Sequence, residues 1–387
     1  MAKLLVLHII SGLGCGGAEN MLIRLVKNHR SKQIKSLVVS LTPLNAVGEE
    51  FESLGIEVIY LTGISGRIQS VKFFRNLFNI VQTHRPDVIQ GWMYHGNLAA
   101  SLCGIFAARD IPIVWNVRQS LQSLARERFL TQVVILLCVP LSFGVFKIIY
   151  NSRLAATQHE RLGYSKKRAT FVPNGFFAVR KRIIDRDKSH HLVDIEKSAN
   201  PARVVLGHAG RHHPKKGHDV LFGALNYVLG LGWDVVLVCV GSNVKIGNSA
   251  LEEVIPKSVE EKRYFLLGEQ KDMGRFYSGL DIFISSSRWG EGFPNVVAEA
   301  MSYQLPCVAT DVGETRSLLG GSGVLVRNNS AEALAEGIID LLRMSKGARV
   351  KLGSQAQKRV EVRYGMEKIG EIYHQIYLES IRCLKAG

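Results

Sequence analysis

Short apolar runs alternate with longer amphipathic segments along the whole chain, and this alternation limits the folds available to it. The runs lack the polar-apolar alternation of a strand with one wet face, so we interpret them as strands covered on both sides. They lie at 3–10, 36–41, 56–61, 87–90, 112–115, 146–150 and 169–172, and then at 203–210, 234–242, 263–268, 281–287, 306–310 and 323–326. The pattern predicts an α/β fold with parallel, doubly wound sheets.

A charged, aromatic-poor stretch at 178–203 separates the two series of runs. A chain of 387 residues is also too long for one ordinary core. We therefore predict a first domain at 1–178, a linker at 179–202, a second domain at 203–364 and a final amphipathic helix at 365–387.

The formal net charge of +16 is concentrated in the first half of the chain. Residues 1–180 hold 21 Lys and Arg against 9 Asp and Glu, whereas the remainder holds 28 against 24. A basic surface attracts nucleic acid, anionic lipid or a phosphorylated substrate, although the charge is also compatible with solubility alone. Because no aromatic RNA-binding signature of the K/R-G-F-G-F-V-x-F type is present, we expect no nucleic-acid partner.

The cysteines and the N-terminal residues indicate the cellular compartment in which we expect the protein. Six cysteines are scattered without a C-x-x-C or another metal-ligand spacing, which favours free thiols in a reducing compartment. The start, MAKLLVLHIISG, lacks a small-residue cleavage site, so we interpret it as a first strand. We therefore expect a cytoplasmic protein.

The segment Phe129–Phe146 is the most apolar stretch of the chain. Pro140, Ser142 and Gly144 interrupt it, and it does not reach the length of a membrane span. We interpret it as a buried helix that leads into the next strand. The alternative is a segment that lies in the plane of a membrane surface, since basic residues flank it.

A glycine-rich loop, ISGLGCGGAEN at 10–20, follows the first predicted strand. Gly12, Gly14 and Gly17 fit the G-x-G-x-x-G pattern of dinucleotide sites. Such a site needs a carboxylate at the end of the second strand, where this chain has Ser40 to Thr42. We predict that the loop faces a phosphorylated ligand without being a dinucleotide site; a tight structural turn is the alternative.

Two cations stand on the loop after the first strand of the second series. Arg211 and Lys216, five residues apart, can converge on one diphosphate. His212, His213 and His218 lie nearby, but no carboxylate or cysteine accompanies them at a metal-ligand spacing, and we interpret them as surface residues.

Two glutamates mark a further loop and helix in the second half. Glu291 lies in the loop after the strand at 281–287, and Glu299 follows Asn295 by four residues on one helix face. Helix amides can hold a phosphate while the carboxylates hold hydroxyl groups. The sequence therefore predicts a polar ligand pocket at the carboxyl ends of these strands.

These motifs together resemble the retaining, nucleotide-sugar-dependent glycosyltransferases of family four, also called the group 1 glycosyl transferases. The resemblance covers nearly the whole chain. Its motifs are GGAEN at 16–20, VPNGF at 172–176, GRHHPKKG at 210–217, EGFPNVVAE at 291–299 and DVGE at 311–314. The resemblance implies the GT-B fold, in which two Rossmann-like domains face each other across a cleft. It also implies that the final helix packs back on the first domain.

The resemblance implies a role for each matching residue. Arg211 and Lys216 bind the donor diphosphate, and Glu291 holds hydroxyls of the sugar; these are the candidate catalytic residues. Glu299 binds the ribose, and the base lies near Glu269. The implied donor-binding set is Gly16, Gly17, Glu269, Gly292, Phe293, Asn295, Val296 and Glu299. No metal ligand and no cofactor are expected.

Two positions depart from the family pattern. Many relatives carry a histidine near the reacting sugar after the fifth strand, where this chain has Arg118. His95, after the fourth strand, is the other candidate for contact with the sugar or the acceptor. Alternatively, either residue is a polar residue between domains.

The resemblance implies a metal-independent hexosyltransferase that retains anomeric configuration. The donor is a nucleotide-sugar, with UDP the expected nucleotide, and the sugar is a hexose or N-acetylhexosamine. The acceptor is lipid-linked or an oligosaccharide, in surface polysaccharide or glycolipid synthesis, and the basic first half suits an anionic membrane surface on the cytoplasmic side. A nucleotide-sugar epimerase or phosphorylase of the same fold and a non-enzymatic nucleotide-binding protein are the alternatives.

Overall fold

The computed structural model describes residues 4–14, 16–43, 46–61, 67–121, 123–179 and 202–386. The chain forms two compact units. Unit 1 comprises 1–177 together with 366–387, and unit 2 comprises 178–365. The predicted linker at 179–202 lies almost entirely outside the described residues.

Unit 1 is built on a seven-stranded parallel sheet with the order β3-β2-β1-β4-β5-β6-β7. Its strands are β1 Leu4–Ile10, β2 Ile34–Ser40, β3 Glu57–Tyr60, β4 Val88–Trp92, β5 Ile113–Val117, β6 Lys147–Tyr150 and β7 Ala169–Phe171. Its first six helices are α1 Gly17–Ser31, α2 Ala46–Ser53, α3 Arg67–His84, α4 Met93–Phe106, α5 Phe129–Leu141 and α6 Arg153–Arg161.

Both faces of this sheet are covered. One face packs on α3, α4 and α5 through residues such as Leu77, Cys103 and Ile135. The other packs on α1 and α2 through residues such as Leu22 and Phe51. Two-sided burial explains why the strands read as continuous apolar runs, and it confirms the doubly wound prediction.

Unit 2 contains a six-stranded parallel sheet with the order β10-β9-β8-β11-β12-β13. Its strands are β8 Val204–Ala209, β9 Val235–Val240, β10 Tyr264–Leu266, β11 Ile282–Ser285, β12 Cys307–Thr310 and β13 Val324–Val326. Its helices are α7 His218–Gly230, α8 Ser249–Glu252, α9 Met273–Gly279, α10 Asn295–Ser302, α11 Thr315–Leu319, α12 Ala331–Arg343 and α13 Lys346–Tyr364.

The last helix, α14 (Met366–Ala386), belongs to unit 1. Tyr373 and Tyr377 are completely buried against the sheet. The Tyr377 hydroxyl donates to Gln90 Oε1 at 2.5 Å, and the Tyr373 hydroxyl donates to Asn116 Oδ1 at 2.8 Å. These bonds join α14 to β4 and β5 through polar side chains buried inside the core.

One interpretation of the sequence is wrong. Helix α5 does lead into β6, but it is not a buried helix, because only its inner side, with Ile135 and Cys138, is buried. Phe129 and Leu130 are 75% and 74% exposed. As the outer layer of a doubly wound sheet, a crossover helix turns half of its circumference away from the strands.

Several buried histidines are held neutral in unit 1. His159 is fully buried; its Nδ1 donates to Ala155 O at 2.7 Å, and Tyr94 Oη donates to its Nε2 at 2.9 Å. Burial lowers the pKa of His159 to about 4, and burial lowers the pKa of His8 to about 3. The charged form of a buried imidazole is disfavoured because it loses its hydration.

We expect Tyr373→Phe to lower the free energy of unfolding by about 1–3 kcal/mol, because the Asn116 amide and the Arg118 guanidinium lose a buried partner. Chemical denaturation monitored by circular dichroism measures the change. Tyr227→Phe is the matched control, since that hydroxyl donates to Glu332 at the surface and its loss is expected to cost little. Equal losses in both variants would contradict the role assigned to Tyr373.

Acid is expected to destabilise the protein below pH 6.5, because these histidines bind protons in the unfolded chain but stay neutral when they are buried in the folded state. In His159→Phe, the loss of stability between pH 7.5 and 5.0 should be smaller than in the wild type by about 2 kcal/mol. Unfolding curves across this range test the difference. An unchanged profile in His159→Phe would contradict the assignment.

Candidate active site

The order of the strands in unit 2 creates a crevice between β8 and β11. The connections from these two neighbours leave in opposite directions, to β9 on one side and to β12 on the other. Such a switch point opens a cleft outside the carboxyl ends of the strands, where doubly wound sheets bind ligands. The loops at 210–217 and 286–294 follow these two strand ends.

Lys216 and Glu291 meet at this switch point. The Lys216 Nζ atom lies 2.5 Å from Glu291 Oε1, and both side chains are mostly buried, with 16% and 14% of their surface exposed. The Ser287 hydroxyl donates to the same carboxylate oxygen at 2.8 Å. Residues 75 positions apart in sequence thus form one charged cluster, with Ser287 as a member that the sequence analysis missed.

Glycine fixes the backbone that presents Lys216. Gly217 has φ +65°, a left-handed conformation, and a Cβ atom there would overlap Ser286 O. The Ser286 hydroxyl donates to Lys216 O at 2.8 Å. The loop before α7 is therefore held directly against the end of β11, which aims Lys216 at Glu291.

The Glu291 carboxylate remains charged although it is buried. Burial by itself raises the pKa of this carboxyl, but the Lys216 ammonium and the Ser287 hydroxyl outweigh it and hold the pKa below its usual value. A charged acceptor and a charged donor thus stand side by side in a partly desolvated crevice, where their electrostatic effect on a ligand is stronger than at an open surface.

Arg211 lies on the same loop as Lys216, but its side chain is exposed. The loop is attached to the end of β9, because His212 N donates to Ser242 O at 2.8 Å and Gly210 N donates to Val240 O at 2.9 Å. The structure therefore places both predicted cations on one loop beside the crevice, with the Lys216 side chain mostly buried and the Arg211 side chain exposed.

The predicted donor-binding stretch at 292–299 surrounds the start of α10. Gly292 and Phe293 are buried before the helix, whereas Asn295 and Val296 are half-buried in its first turn. The first-turn amide groups of a helix attract anions. The stretch thus places an anion-attracting helix end next to Glu291.

A buried tyrosine positions Glu299. The Tyr277 hydroxyl, on α9, donates to Glu299 Oε2 at 3.0 Å, and the tyrosine itself is 1% exposed. The sequence analysis missed Tyr277, since a tyrosine within a short helix carries no motif. Glu269 lies further away along the same sheet edge: it is exposed in the loop after β10, two strands from the switch point.

The histidines near Lys216 are not all at the surface, which corrects the interpretation made from sequence. His213 is exposed, but His218 and His208 are buried, with ring centroids 5.0 Å apart. Burial lowers the pKa of His218 to about 2 and that of His208 to about 4, so both stay neutral. Within the described ranges, no group of three or more His, Cys, Asp or Glu side chains has a metal-binding arrangement.

The glycine loop of unit 1 also lies at a switch point, between β1 and β4. Helix α1 begins at Gly17, and the Glu19 carboxylate folds back so closely that a Cβ atom on Gly16 would overlap it. Burial raises the pKa of Glu19. The first turn of α1 thus carries an acidic side chain, Glu19, beside Gly16 and Gly17.

His95 and Arg118 occupy different environments in unit 1. His95 is exposed in the first turn of α4, at the carboxyl end of β4, and burial of part of its ring lowers its pKa. Arg118 is 8% exposed and donates to Asn174 Oδ1 at 2.5 Å and to Asn116 Oδ1 at 2.9 Å. Its guanidinium therefore contributes to the packing inside unit 1, and His95 is the more accessible of the two.

Two family models match the chain, one in each unit. The model "Glycosyltransferase Family 4" matches residues 15–177, and the model "Glycosyl transferases group 1" matches residues 203–344. The chain belongs to this glycosyltransferase family. The membership of glycosyltransferase family four that the motifs predict is thereby confirmed.

Individual proteins are similar to this glycosyltransferase over most of its length. EpsF of Bacillus subtilis is 26% identical over 385 residues, which cover 92% of this chain and 94% of EpsF. The lipopolysaccharide core biosynthesis mannosyltransferase LpsB of Rhizobium meliloti is 23% identical over 316 residues, with 79% and 83% covered.

Solved structures extend the likeness to the fold. HepE of Anabaena, in complex with UDP and glucose, is 22% identical with a TM-score of 0.79, and the match covers 96% of this chain and 98% of HepE. A glycosyltransferase from Rickettsia africae is 16% identical with a TM-score of 0.80, covering 98% and 99%. The glycosyltransferase described here therefore has the GT-B fold.

Lys216→Met in this glycosyltransferase is expected to raise the pKa of the Glu291 carboxyl above its usual value, because burial remains while the ammonium is removed. Carbon-13 NMR titration of the side-chain carboxyl groups, assigned with Glu291→Gln, measures the pKa. Lys262→Met is the control: its partner Glu260, at 2.7 Å, is exposed, and we expect only a small change there. A Glu291 pKa that stays low in Lys216→Met would contradict the coupling.

Proposed function

We propose that the protein transfers a hexose or N-acetylhexosamine from a UDP-sugar to a lipid-linked or saccharide acceptor in surface polysaccharide or glycolipid synthesis. The observation that carries this proposal is the Lys216–Glu291 cluster in the crevice of unit 2. A nucleotide-sugar presents a diphosphate beside a ring of hydroxyl groups. The cluster offers a cation for the first and a carboxylate for the second, on one desolvated surface.

In the transfer, the bond between C1 of the sugar and the diphosphate oxygen breaks, and its electron pair leaves with UDP. The acceptor hydroxyl oxygen forms the new bond to C1, and its proton passes to the leaving phosphate. Lys216, Arg211 and the amides at the start of α10 stabilise the negative charge that develops on the diphosphate. Glu291 accepts hydrogen bonds from sugar hydroxyls and fixes the ring, while Glu299, oriented by Tyr277, holds the ribose.

We also propose that the reaction is independent of metal ions and retains the anomeric configuration. Charge neutralisation by Lys216 and Arg211 supports the first part of the proposal. The second part rests on Glu291: this buried carboxylate is engaged by Lys216 and Ser287, which suits a hydrogen-bond acceptor better than a nucleophile. Attack of the acceptor on the face from which UDP departs then accounts for retention.

In this proposal, the acceptor substrate binds to unit 1. The excess of basic residues in the first 180 positions suits an acceptor that carries phosphate and an anionic membrane surface on the cytoplasmic side. His95, exposed at the carboxyl end of β4, is the proposed contact for the sugar or the acceptor. The names of the relatives support this setting, since CapM of Staphylococcus aureus is a capsular polysaccharide biosynthesis glycosyltransferase.

UDP is expected to raise the melting temperature of the wild type, with or without EDTA. At a concentration about 100 times its dissociation constant, a ligand stabilises the folded state by about 2.7 kcal/mol. Lys216→Ala should reduce this shift and lower the turnover of a UDP-sugar by roughly 10²–10³-fold, because one stabiliser of the leaving group is gone. Differential scanning fluorimetry and a UDP-release assay measure the two effects.

Lys262→Ala is the control for this experiment, since Lys262 is an exposed lysine of unit 2 that pairs with Glu260 at the surface. It should behave as the wild type. If GDP or ADP raises the melting temperature and UDP does not, only the identity of the donor nucleotide would need correction. A shift abolished by EDTA would contradict metal independence, and full activity in Lys216→Ala would overturn the site. The anomeric configuration of the product, read by proton NMR, tests retention.

A further inference from the structure

The outer face of α5 is an apolar stripe without a cover among the described residues. We define this α5 face as Phe129, Leu130, Val133, Leu136 and Leu137, all of which are exposed, together with the 60% exposed Phe143 in the following turn. The five helical positions fall within an arc of about 120° when each residue advances the helix by 100°. Scattered exposed leucines are ordinary, but a contiguous stripe on one helix marks an interaction surface.

The face is held rigidly from behind. On the opposite side of α5, Ile135 and Cys138 are buried in the core of unit 1. The Tyr164 hydroxyl donates to Ile135 O at 3.0 Å, and the Cys138 thiol donates to Tyr94 O at 3.7 Å. The stripe is therefore a preformed surface of the folded unit, since its helix cannot rotate to bury these side chains.

The surroundings of the α5 face are basic. No charged residue occurs in α5 itself, but Arg126 and Arg128 precede it and are exposed. At the other end of the helix, Arg109 and Arg168 line a cavity together with Pro140 and Leu141. An apolar stripe with cations around it matches a helix that lies in the interface of an anionic bilayer.

Helix α5 is too short to span a lipid bilayer. Its 13 residues reach about 20 Å, whereas the hydrocarbon core of a bilayer is about 30 Å thick. None of the helices in the described part of the chain combines the length and the apolar character needed to cross a membrane. The apolar side chains on one face of α5 instead suit shallow insertion parallel to the surface.

We propose that the α5 face docks on an anionic lipid bilayer, with Arg126 and Arg128 at the headgroups. This deepens the proposed function and rests on it for the acceptor. Helix α5 begins near the carboxyl end of β5, on the same edge of the sheet as His95. A bilayer against α5 therefore brings this edge of unit 1 to the level where the sugar of a lipid-linked acceptor emerges.

Sedimentation with vesicles tests the proposal on the full chain. The wild type should bind vesicles of phosphatidylglycerol and phosphatidylethanolamine, and should bind phosphatidylcholine vesicles more weakly. Leu130→Glu/Leu137→Glu should lower the bound fraction at least about five-fold, because two charges would enter the apolar interface. The control Leu231→Glu/Val350→Glu adds the same charge at exposed apolar positions of unit 2 and should bind as the wild type.

The outcomes separate this proposal from the proposed function. The UDP-induced melting shift, measured on the same α5 variant, should equal that of the wild type and reports that the protein is folded. Wild type that fails to bind anionic vesicles, or an α5 variant that binds them equally well, would overturn docking through α5 even if UDP binds. An oligomer in solution that the α5 variant dissociates would assign the face to a second protein chain instead. If UDP does not raise the melting temperature of the wild type, this result would contradict the proposed donor site but not the docking of the α5 face on lipid.

Discussion

Parallel pairing of all the strands in the described residues is the constraint on which the rest of the structure depends. Parallel neighbours need crossover connections, and these place helices on both faces of each sheet. The same geometry brings all carboxyl strand ends to one edge. In unit 2, the order reverses between β8 and β11, so the loops with Lys216 and Glu291 converge there. The candidate active site is thus a consequence of the topology before any side chain is considered.

Within that edge, polar side chains are positioned by groups behind them. Ser287 holds Glu291, and Tyr277 holds Glu299. A glycine with positive φ, Gly217, lets the lysine loop approach β11. Polar side chains also hold a charged group in the core of unit 1, where Tyr373 and Asn116 accept hydrogen bonds from the buried guanidinium of Arg118. In unit 2, neutral groups hold Glu291 and Glu299 in place, which reduces the reorganisation needed when a ligand arrives.

The sequence predicts the strands well for a physical reason, and it singles out Lys216 and Glu291, which the structure brings into contact. Two-sided burial makes strands continuous apolar runs, and charged residues such as Lys216 and Glu291 stand out in the loops that follow those runs. Partners such as Tyr277 could not be predicted, since a contact between distant segments leaves no local pattern. The exposure of α5 was missed for a related reason: an apolar composition does not reveal which side of a helix has a neighbour.

The place of α14 in the chain has a consequence for synthesis. Unit 1 consists of residues 1–177 and the last helix, while unit 2 lies between them. Gln90 and Asn116 accept hydrogen bonds from tyrosines of α14, so these two hydrogen bonds form only after α14 has left the ribosome. Translation can complete the core of unit 2 earlier, since all of its strands precede α14. The unit that is translated first is the one that finishes folding last.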